Sequence, residues 1–417
     1  MLSGDNGILQ KATDAKTQTG IGQEKEIVAL AYNSALAKKV SNGNSGTVTG
    51  NELNDELKNS GASANGDSPI VITFENGHKY SIDSTGNIGE YTPSVTDFVK
   101  IGDYVDYDPT RGVTDTSKLT YTSPTGSSGT HGNGYTSSET GGGQKFTAKP
   151  KESSSFLWSV ISITNDKIEI VPTDAIKKDE TNQNSGHFVL KGAIGYLYAE
   201  QELNEICKIY GYGYGADTSQ VTTYKIGGPV SGEETTGTIT GSGARSLTAE
   251  DINKFAKVGE TADGSIVITS FTEVDSKYGS TTNPTTNIKY PTINTVNGQS
   301  SSAGLKNLKY TDYLYYTSKI ENTNIRDPLT AGYYWVSTRS VKTEQQNSSF
   351  GVFNVSGYGN YNAVRSTALC LGFSNDFYDF EEANYSVKPV VTLKSNVIDI
   401  SNPTNNSGKW GYAWKLK

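Results

Sequence analysis

Phe156-Leu157-Trp158-Ser159-Val160-Ile161-Ser162-Ile163-Thr164-Asn165-Asp166-Lys167-Ile168-Glu169-Ile170-Val171 is the stretch on which the fold class turns. With Asn165-Asp166 as a two-residue turn, an antiparallel pair sets Ile163 opposite Ile168 and Ile161 opposite Ile170. All of these Ile then share one sheet face, while Ser162, Thr164, Lys167 and Glu169 share the other. The expectation is a hairpin with one core face and one wet face.

Two helices are predicted further along. Residues 199–210 put Leu203, Cys207 and Tyr210 on one face and stop at Gly211, read as a left-handed C-terminal position. Residues 248–255 open on Thr248-Ala249-Glu250-Asp251, in which Thr248 caps and the acids suit the positive end of the helix dipole. Between and around them, residues 111–144, 216–244 and 276–302 are rich in Gly, Ser and Thr and short of apolar side chains, as surface insertions are. Short strands, two helices and long polar insertions make residues 97–400 a mixed α+β domain.

The N-terminal part reads differently. Ile8, Ala12, Ala15, Val28, Ala31 and Ala35 recur on one face of a helix over about residues 6–40. Gly20 and Gly22 each cost roughly 1 kcal/mol relative to Ala, which marks a bend or break there. Such a narrow, Ala-rich stripe needs another surface to pack on. A short helix over residues 51–59 leads to Ile70-Val71-Ile72-Thr73-Phe74 and Tyr80-Ser81-Ile82, which flank Asn76-Gly77, the preferred pair for a two-residue type I′ turn. These elements form one unit, residues 1–91, with residues 92–96 as a linker.

Composition bounds the function. The chain has 417 residues, enough for two or three domains, with 34% hydrophobic and 19% charged residues. Gly reaches 45 and Tyr 26, against 12 Phe and one Met, which favours extended, loop-rich structure over helical bundles. A net charge of −8 offers no basic field for phosphates, so nucleic acid is not an expected partner. Two Cys and three His, with no Cys-x-x-Cys, leave no zinc ligand quartet. The longest apolar run, residues 27–32, is far below the ~18 residues of a membrane span, so no membrane is expected for the chain as given. Met1-Leu2-Ser3-Gly4 reads as a start just after a cut.

Motifs for catalysis are weak. Gly211-Tyr212-Gly213-Tyr214-Gly215 follows a helix and lacks nucleotide-loop spacing, and Gly408-Lys409 is followed by Trp410, so it is no P-loop. No Gly-x-Ser-x-Gly elbow is present. His78 sits beside a hairpin turn and His131 in a Gly-rich tract, which leaves His187 as the one catalytic candidate among the His. Cys207 is either a small buried hydrophobe or the partner of Cys370. Asp103, Asp106 and Asp108, and separately Asp376, Asp379, Glu381 and Glu382, are either solvated acids or calcium ligands. The expectation is no enzyme and no cofactor, with calcium the one candidate ion.

Residues 333–393 carry the binding candidates. Tyr334-Trp335-Val336, Phe350-Gly351-Val352 and Val390-Val391-Thr392-Leu393 bracket stretches such as Tyr358-Gly359-Asn360-Tyr361-Asn362. Tyr gives contact area at low entropic cost and Asn adaptable hydrogen bonds, as in antibody paratopes. The contact set is Tyr358, Asn360, Tyr361, Asn362, Asn375, Asp376, Tyr378 and Asp379, with Trp335, Arg339 and Pro389 as scaffold. A polar segment with no ligand is the competing reading.

Leu2-Ser3-Gly4-Asp5-Asn6-Gly7-Ile8-Leu9-Gln10-Lys11-Ala12, followed by Gln23-Glu24-Lys25-Glu26 and Ala29-Leu30-Ala31-Tyr32, resembles type IV pilin-like proteins of Gram-positive bacteria just past their hydrophobic segment. The resemblance covers about residues 1–91. It implies an anchoring half-helix before this point, cut by a prepilin peptidase, through which other pilin-like subunits would associate.

Val99-Lys100-Ile101-Gly102-Asp103-Tyr104-Val105, Leu203-Asn204-Glu205-Ile206-Cys207 and Ala244-Arg245-Ser246-Leu247-Thr248 are similar to surface domains carried on such stalks. Tyr334-Trp335-Val336-Ser337-Thr338-Arg339 and Val387-Lys388-Pro389-Val390-Val391 are too, and also resemble the closing strands of C-type-lectin-like folds related to formylglycine-generating enzymes. The resembled folds are related as well to the variable proteins of diversity-generating retroelements. Lys388 stands where arginine is usual. The lectin signatures Glu-Pro-Asn, Gln-Pro-Asp and Trp-Asn-Asp are absent, so calcium-dependent sugar binding is not carried over. The two separated Cys do not match the enzyme's paired active-site cysteines.

The sequence is thus read as an extracellular, cell-surface, adhesin-like protein. A pilin-like unit (1–91) carries an α+β, C-type-lectin-like head (97–400) with a tail (401–417), and the head binds an external protein or glycan. The alternative is a structural pilin or pseudopilin subunit with no specific ligand.

Overall fold

In the computed structural model the described residues are 5–67, 69–124, 144–150, 157–164, 166–176, 188–190, 192–227, 234–256, 271–274, 288–291, 315–316, 320–344, 347–358, 361–373, 377–379, 383–401 and 403–417. The chain is mixed α+β and divides into two compact units, Met1–Ser94 and Val95–Lys417. No helix among the described residues is long and apolar enough to cross a membrane.

The first unit is one long helix, Asp5–Ser41, packed on a four-stranded antiparallel meander. It runs unbroken through Gly20 and Gly22, where a bend is expected from sequence. A Cβ at either glycine would meet nothing within 4 Å, so each costs only its helix propensity and no packing strain is present to break the rod. Val28, Ala31 and Ala35 bury against Ile70, Ile72, Tyr80 and Ile82 of the sheet, while Ile8, Ala12 and Ala15 lie where side chains are not described. Gly50–Leu57 is the short helix, started by a capping box between Thr49 and Glu52.

Ile70–Phe74 and Lys79–Ile82 pair as expected, with edge strands Ala62–Asn65 and Ile88–Glu90 added outside them. The turn is not a two-residue one. Thr73 pairs with Lys79, Gly77 N–H bonds Phe74 O at 2.9 Å, and Gly77 takes φ +89°. This is the three-residue loop that ends in a left-handed glycine bulge.

The second unit is built on a five-stranded antiparallel sheet. Its order is Ala244–Ser246, Pro389–Lys394, Lys167–Pro172, Trp158–Ile163, Tyr104–Val105. Ile163 pairs with Ile168 and Ser162 with Glu169 as predicted, but the register shifts between Val160 and Ser162, so Val160 and not Ile161 opposes Ile170. The bulge sends Ile161 to the other side of the sheet.

Both faces carry core, yet the residues expected to be wet stay so: Thr164 and Lys167 are exposed and Ser162 and Glu169 half-buried. Val160, Ile168, Ile170, Val391 and Leu393 join one buried cluster with Leu203, Ile206 and Cys207 of the Ala199–Lys208 helix. Ile161, Val171 and Val390 join a second with Ile252 of the Ala249–Ala256 helix and Ile325 and Leu329 of the Thr323–Thr330 helix. Neighbouring strand residues point to opposite faces, so the sheet lies between the two clusters. Val95, within the segment read as linker, and Trp414 and Leu416, within the segment read as tail, are buried in the first cluster.

A second five-stranded sheet is built from strands that lie between Tyr315 and Asp379 in the chain. Asn347–Tyr358 pairs with Tyr334–Glu344 on one side and Tyr361–Phe373 on the other, with Tyr315–Tyr316 and Phe377–Asp379 against the last. Part of the polar tract at 216–244 is also regular: Val221–Gly227 and Glu234–Thr240 form a hairpin that buries Tyr224 and Ile239. Its run of Thr suits a pleated ladder, so low apolar content does not prevent order there.

Candidate functional site

The register of the second sheet separates the predicted contact residues into two groups. Tyr358 pairs with Tyr361 and Gly357 with Asn362, so Tyr358, Tyr361 and Asn362 meet at one end of Tyr361–Phe373. Leu371 pairs with Tyr378 and Cys370 with Asp379 at the other end, roughly 30 Å away at about 3.3 Å per residue. Asn360, Asn375 and Asp376 lie outside the described residues. So do His131 and His187, and Glu381 and Glu382 of the acidic group. Trp335, Arg339 and Pro389 are all buried, as scaffold must be. Trp335 donates Nε1–H to Phe188 O at 2.8 Å, and Arg339 Nε to Glu200 at 3.2 Å.

Other candidates resolve into structural roles. Asp103 accepts from Lys100 N–H and Trp414 Nε1–H, Asp106 pairs with Lys415, and Asp108 accepts from Thr110. Among the described residues no three His, Cys, Asp or Glu gather as metal ligands. Cys207 is free and fully buried, and burial pushes its thiol up to about 12. Gly211 does not take the left-handed conformation expected of it. A Cβ there would stand 2.3 Å from Ala244 N, so the glycine permits a close backbone approach. His78 is not simply solvated: its Nδ1 lies 2.9 Å from Glu24, which also accepts from Tyr80 OH and Asn76 Nδ2. Burial would raise the Glu24 carboxyl, but the bonds from Asn76, Tyr80 and His78 outweigh it and hold it low.

A cleft of about 450 Å³ in the second unit was not anticipated from sequence. It wraps the edge strand Ala244–Ser246 and is bounded by the Ala199–Lys208 helix, the start of the Ala249–Ala256 helix and the Val221–Gly227 strand. Arg245 lines it. Nη1 donates to Asp251 Oδ2 at 2.6 Å and to Ser246 O at 3.2 Å; Nη2 donates to Asp251 Oδ1 and to Glu169 Oε1, both at 3.0 Å. Burial disfavours the charge on either side of this pair, and mutual attraction overcomes it, so the guanidinium is raised and the Asp251 carboxyl lowered.

Asp251 also closes the helix cap foreseen at Thr248: its Oδ2 accepts Thr248 N–H at 3.0 Å, and Thr248 Oγ1 accepts Asp251 N–H at 3.2 Å. The sequence signals for the cleft were the Thr248–Asp251 start motif and Glu169 on the polar side of its strand. Nothing in spacing ties Arg245 to Glu169, 76 residues apart, because that contact exists only once the sheet is ordered.

Two buried ionisable groups lie beyond the cleft. Glu202 accepts from Tyr121 OH at 2.7 Å, and burial, aided by Glu205, pushes its carboxyl up to about 7. Lys388 donates Nζ–H to Pro328 O and Ala331 O with the Tyr334 ring 4.6 Å away, and burial brings its ammonium down to about 7. The ammonium is held between two carbonyls and a ring face.

Comparison with known protein families, with curated proteins and with solved structures returns no match.

Proposed function

We propose that the chain is a non-enzymatic, cell-surface binding protein of adhesin type, in which a pilin-like unit carries a C-type-lectin-like head. The observation that carries this reading is the Tyr358–Tyr361 pair, which ends the longest ladder of the head on two aromatic residues beside Asn360 and Asn362. Aromatic anchors flanked by amides on a regular strand pair suit recognition of an external protein or glycan. Tyr378 and Asp379 form a second, separate contact group on this reading. The helix-on-meander build of the first unit supports the pilin-like assignment.

A screen of the chain against arrayed glycans and receptor ectodomains, with and without chelator, tests the proposal. Saturable binding that survives chelation supports it, and an empty array at high protein concentration counts against it. The structural alternative, a pilin or pseudopilin subunit with no ligand, draws on the same 37-residue helix. Joining a hydrophobic half-helix to residue 1 and finding uniform fibres by electron microscopy would favour that alternative.

A further inference from the structure

We propose that the Arg245 cleft is a second binding site, for a small neutral polyhydroxylated ligand of saccharide type, taken directly and without a metal ion. At about 450 Å³ the cleft falls inside the roughly 300–1,000 Å³ of small-molecule sites. Its walls mix polar and apolar surface: Thr222, Thr223 and Thr392 line it, while the Thr248 hydroxyl is bonded to Asp251 and that of Thr338 accepts Ala249 N–H. A hydroxyl both donates and accepts, so a ligand whose own groups do both is the complement of such a wall.

Charge narrows the class further. Four Arg245 N–H bonds are committed to Asp251, Glu169 and Ser246, and Arg339 is paired with Glu200 at the cleft's helix wall. The guanidinium groups are answered by carboxylates already in place, and Glu169, Glu200, Glu250 and Asp251 line the cleft against Arg245 and Lys225, so the site offers a phosphate or sulfate no attractive net field. Glu169 and Glu250 line the cleft together with Thr222 and Thr223, and their carboxylates have lone pairs for ligand hydroxyls beyond the bond that Glu169 Oε1 accepts from Arg245.

Geometry removes a peptide added as an edge strand. A strand added to the Ala244–Ser246 edge would need its outward amides, yet Ser246 N–H bonds Asn204 Oδ1 at 2.8 Å and Ala244 N–H bonds Ser242 Oγ at 3.1 Å. The same bonds, with the Arg245 fork, fix the cleft before any ligand arrives, which lowers the ordering cost of binding.

The test is a titration of the full chain, in chelator, with glucose, galactose, N-acetylglucosamine, maltose and lactose, followed by calorimetry and saturation-transfer NMR. Inorganic phosphate, spermidine and a tetrapeptide serve as contrasting probes. At least one neutral sugar is expected to bind, and Thr222→Val/Thr223→Val, which keeps β-branched residues on the partly exposed hairpin, should weaken it roughly tenfold with an unchanged melting temperature. Glu169→Gln should weaken it too. Tyr358→Ala/Tyr361→Ala should leave it intact, which separates this site from the surface face proposed above. Binding of phosphate, spermidine or peptide in place of every sugar would overturn the inference, as would sugar binding that is indifferent to the Thr pair or an absence of sugar binding altogether.

Discussion

Arg245 grips Asp251 with both terminal nitrogens, at 2.6 and 3.0 Å, and thereby ties the edge of the central sheet to the first turn of the helix that follows it. The pair is mostly dry and Asp251 also completes the Thr248 cap, so its removal leaves the guanidinium with Glu169 as its carboxylate partner and weakens a helix start. Asp251→Asn is expected to cost about 3–4 kcal/mol of unfolding free energy, read from urea denaturation of the full chain. A cost below about 1 kcal/mol would mean the bridge is a solvent-screened contact.

Glu202 gives the head a pH dependence of definite sign. Its folded value is raised to about 7 against roughly 4.3 unfolded, so between those limits the folded state binds more protons. Stability should therefore fall as pH rises from about 4.3 to 7, on the order of 3 kcal/mol for this group alone. Glu202→Gln should flatten that slope in equilibrium denaturation across the range. An unchanged slope would mean that the carboxyl is ionised in the folded protein.

The Glu24 hub acts with the opposite sign in the first unit. Its carboxyl is held below the usual value by bonds from Asn76, Tyr80 and His78, so the stabilisation is present above the unfolded value near 4.3 and is lost as pH falls through the folded one. Glu24→Gln is expected to cost about 1–3 kcal/mol at pH 7, with the difference from wild type narrowing below about pH 4. Methyl resonances of Val28 and Ile72 during denaturation report this unit separately.

Cys207 should be silent to thiol reagents in the native protein and react on unfolding, since it is buried and its thiol is pushed up to about 12. Mass spectrometry of the alkylated denatured chain should show two labelled cysteines without prior reduction. A bond to Cys370 would block both.

Local patterns were the most legible part of the sequence. The Thr248 cap, the Ile163–Ile168 pairing and the face shared by Leu203 and Cys207 depend on residues a few positions apart, where propensity and periodicity act. Ile161 was misplaced because a bulge adds a residue to one strand only, and alternation cannot register that. Thr164 and Lys167 stay exposed as alternation places them, but the core on the sheet's second face depends on the helices Ala249–Ala256 and Thr323–Thr330, about 80 and 150 residues further along, which the hairpin's own pattern does not register. The cleft was invisible for the same cause, since Arg245, Glu169 and Glu200 converge only through tertiary structure. The Tyr/Asn-rich segment was read as one face, yet the strand that links its two halves is long enough to hold them apart.

The most direct measurement is the affinity of Tyr358→Ala/Tyr361→Ala for a glycan or receptor ectodomain captured on the array, set beside its melting temperature. The account predicts a loss of at least about a hundredfold, as for a pair of aromatic anchors, with an unaltered melting transition. Full affinity in the double variant would contradict it.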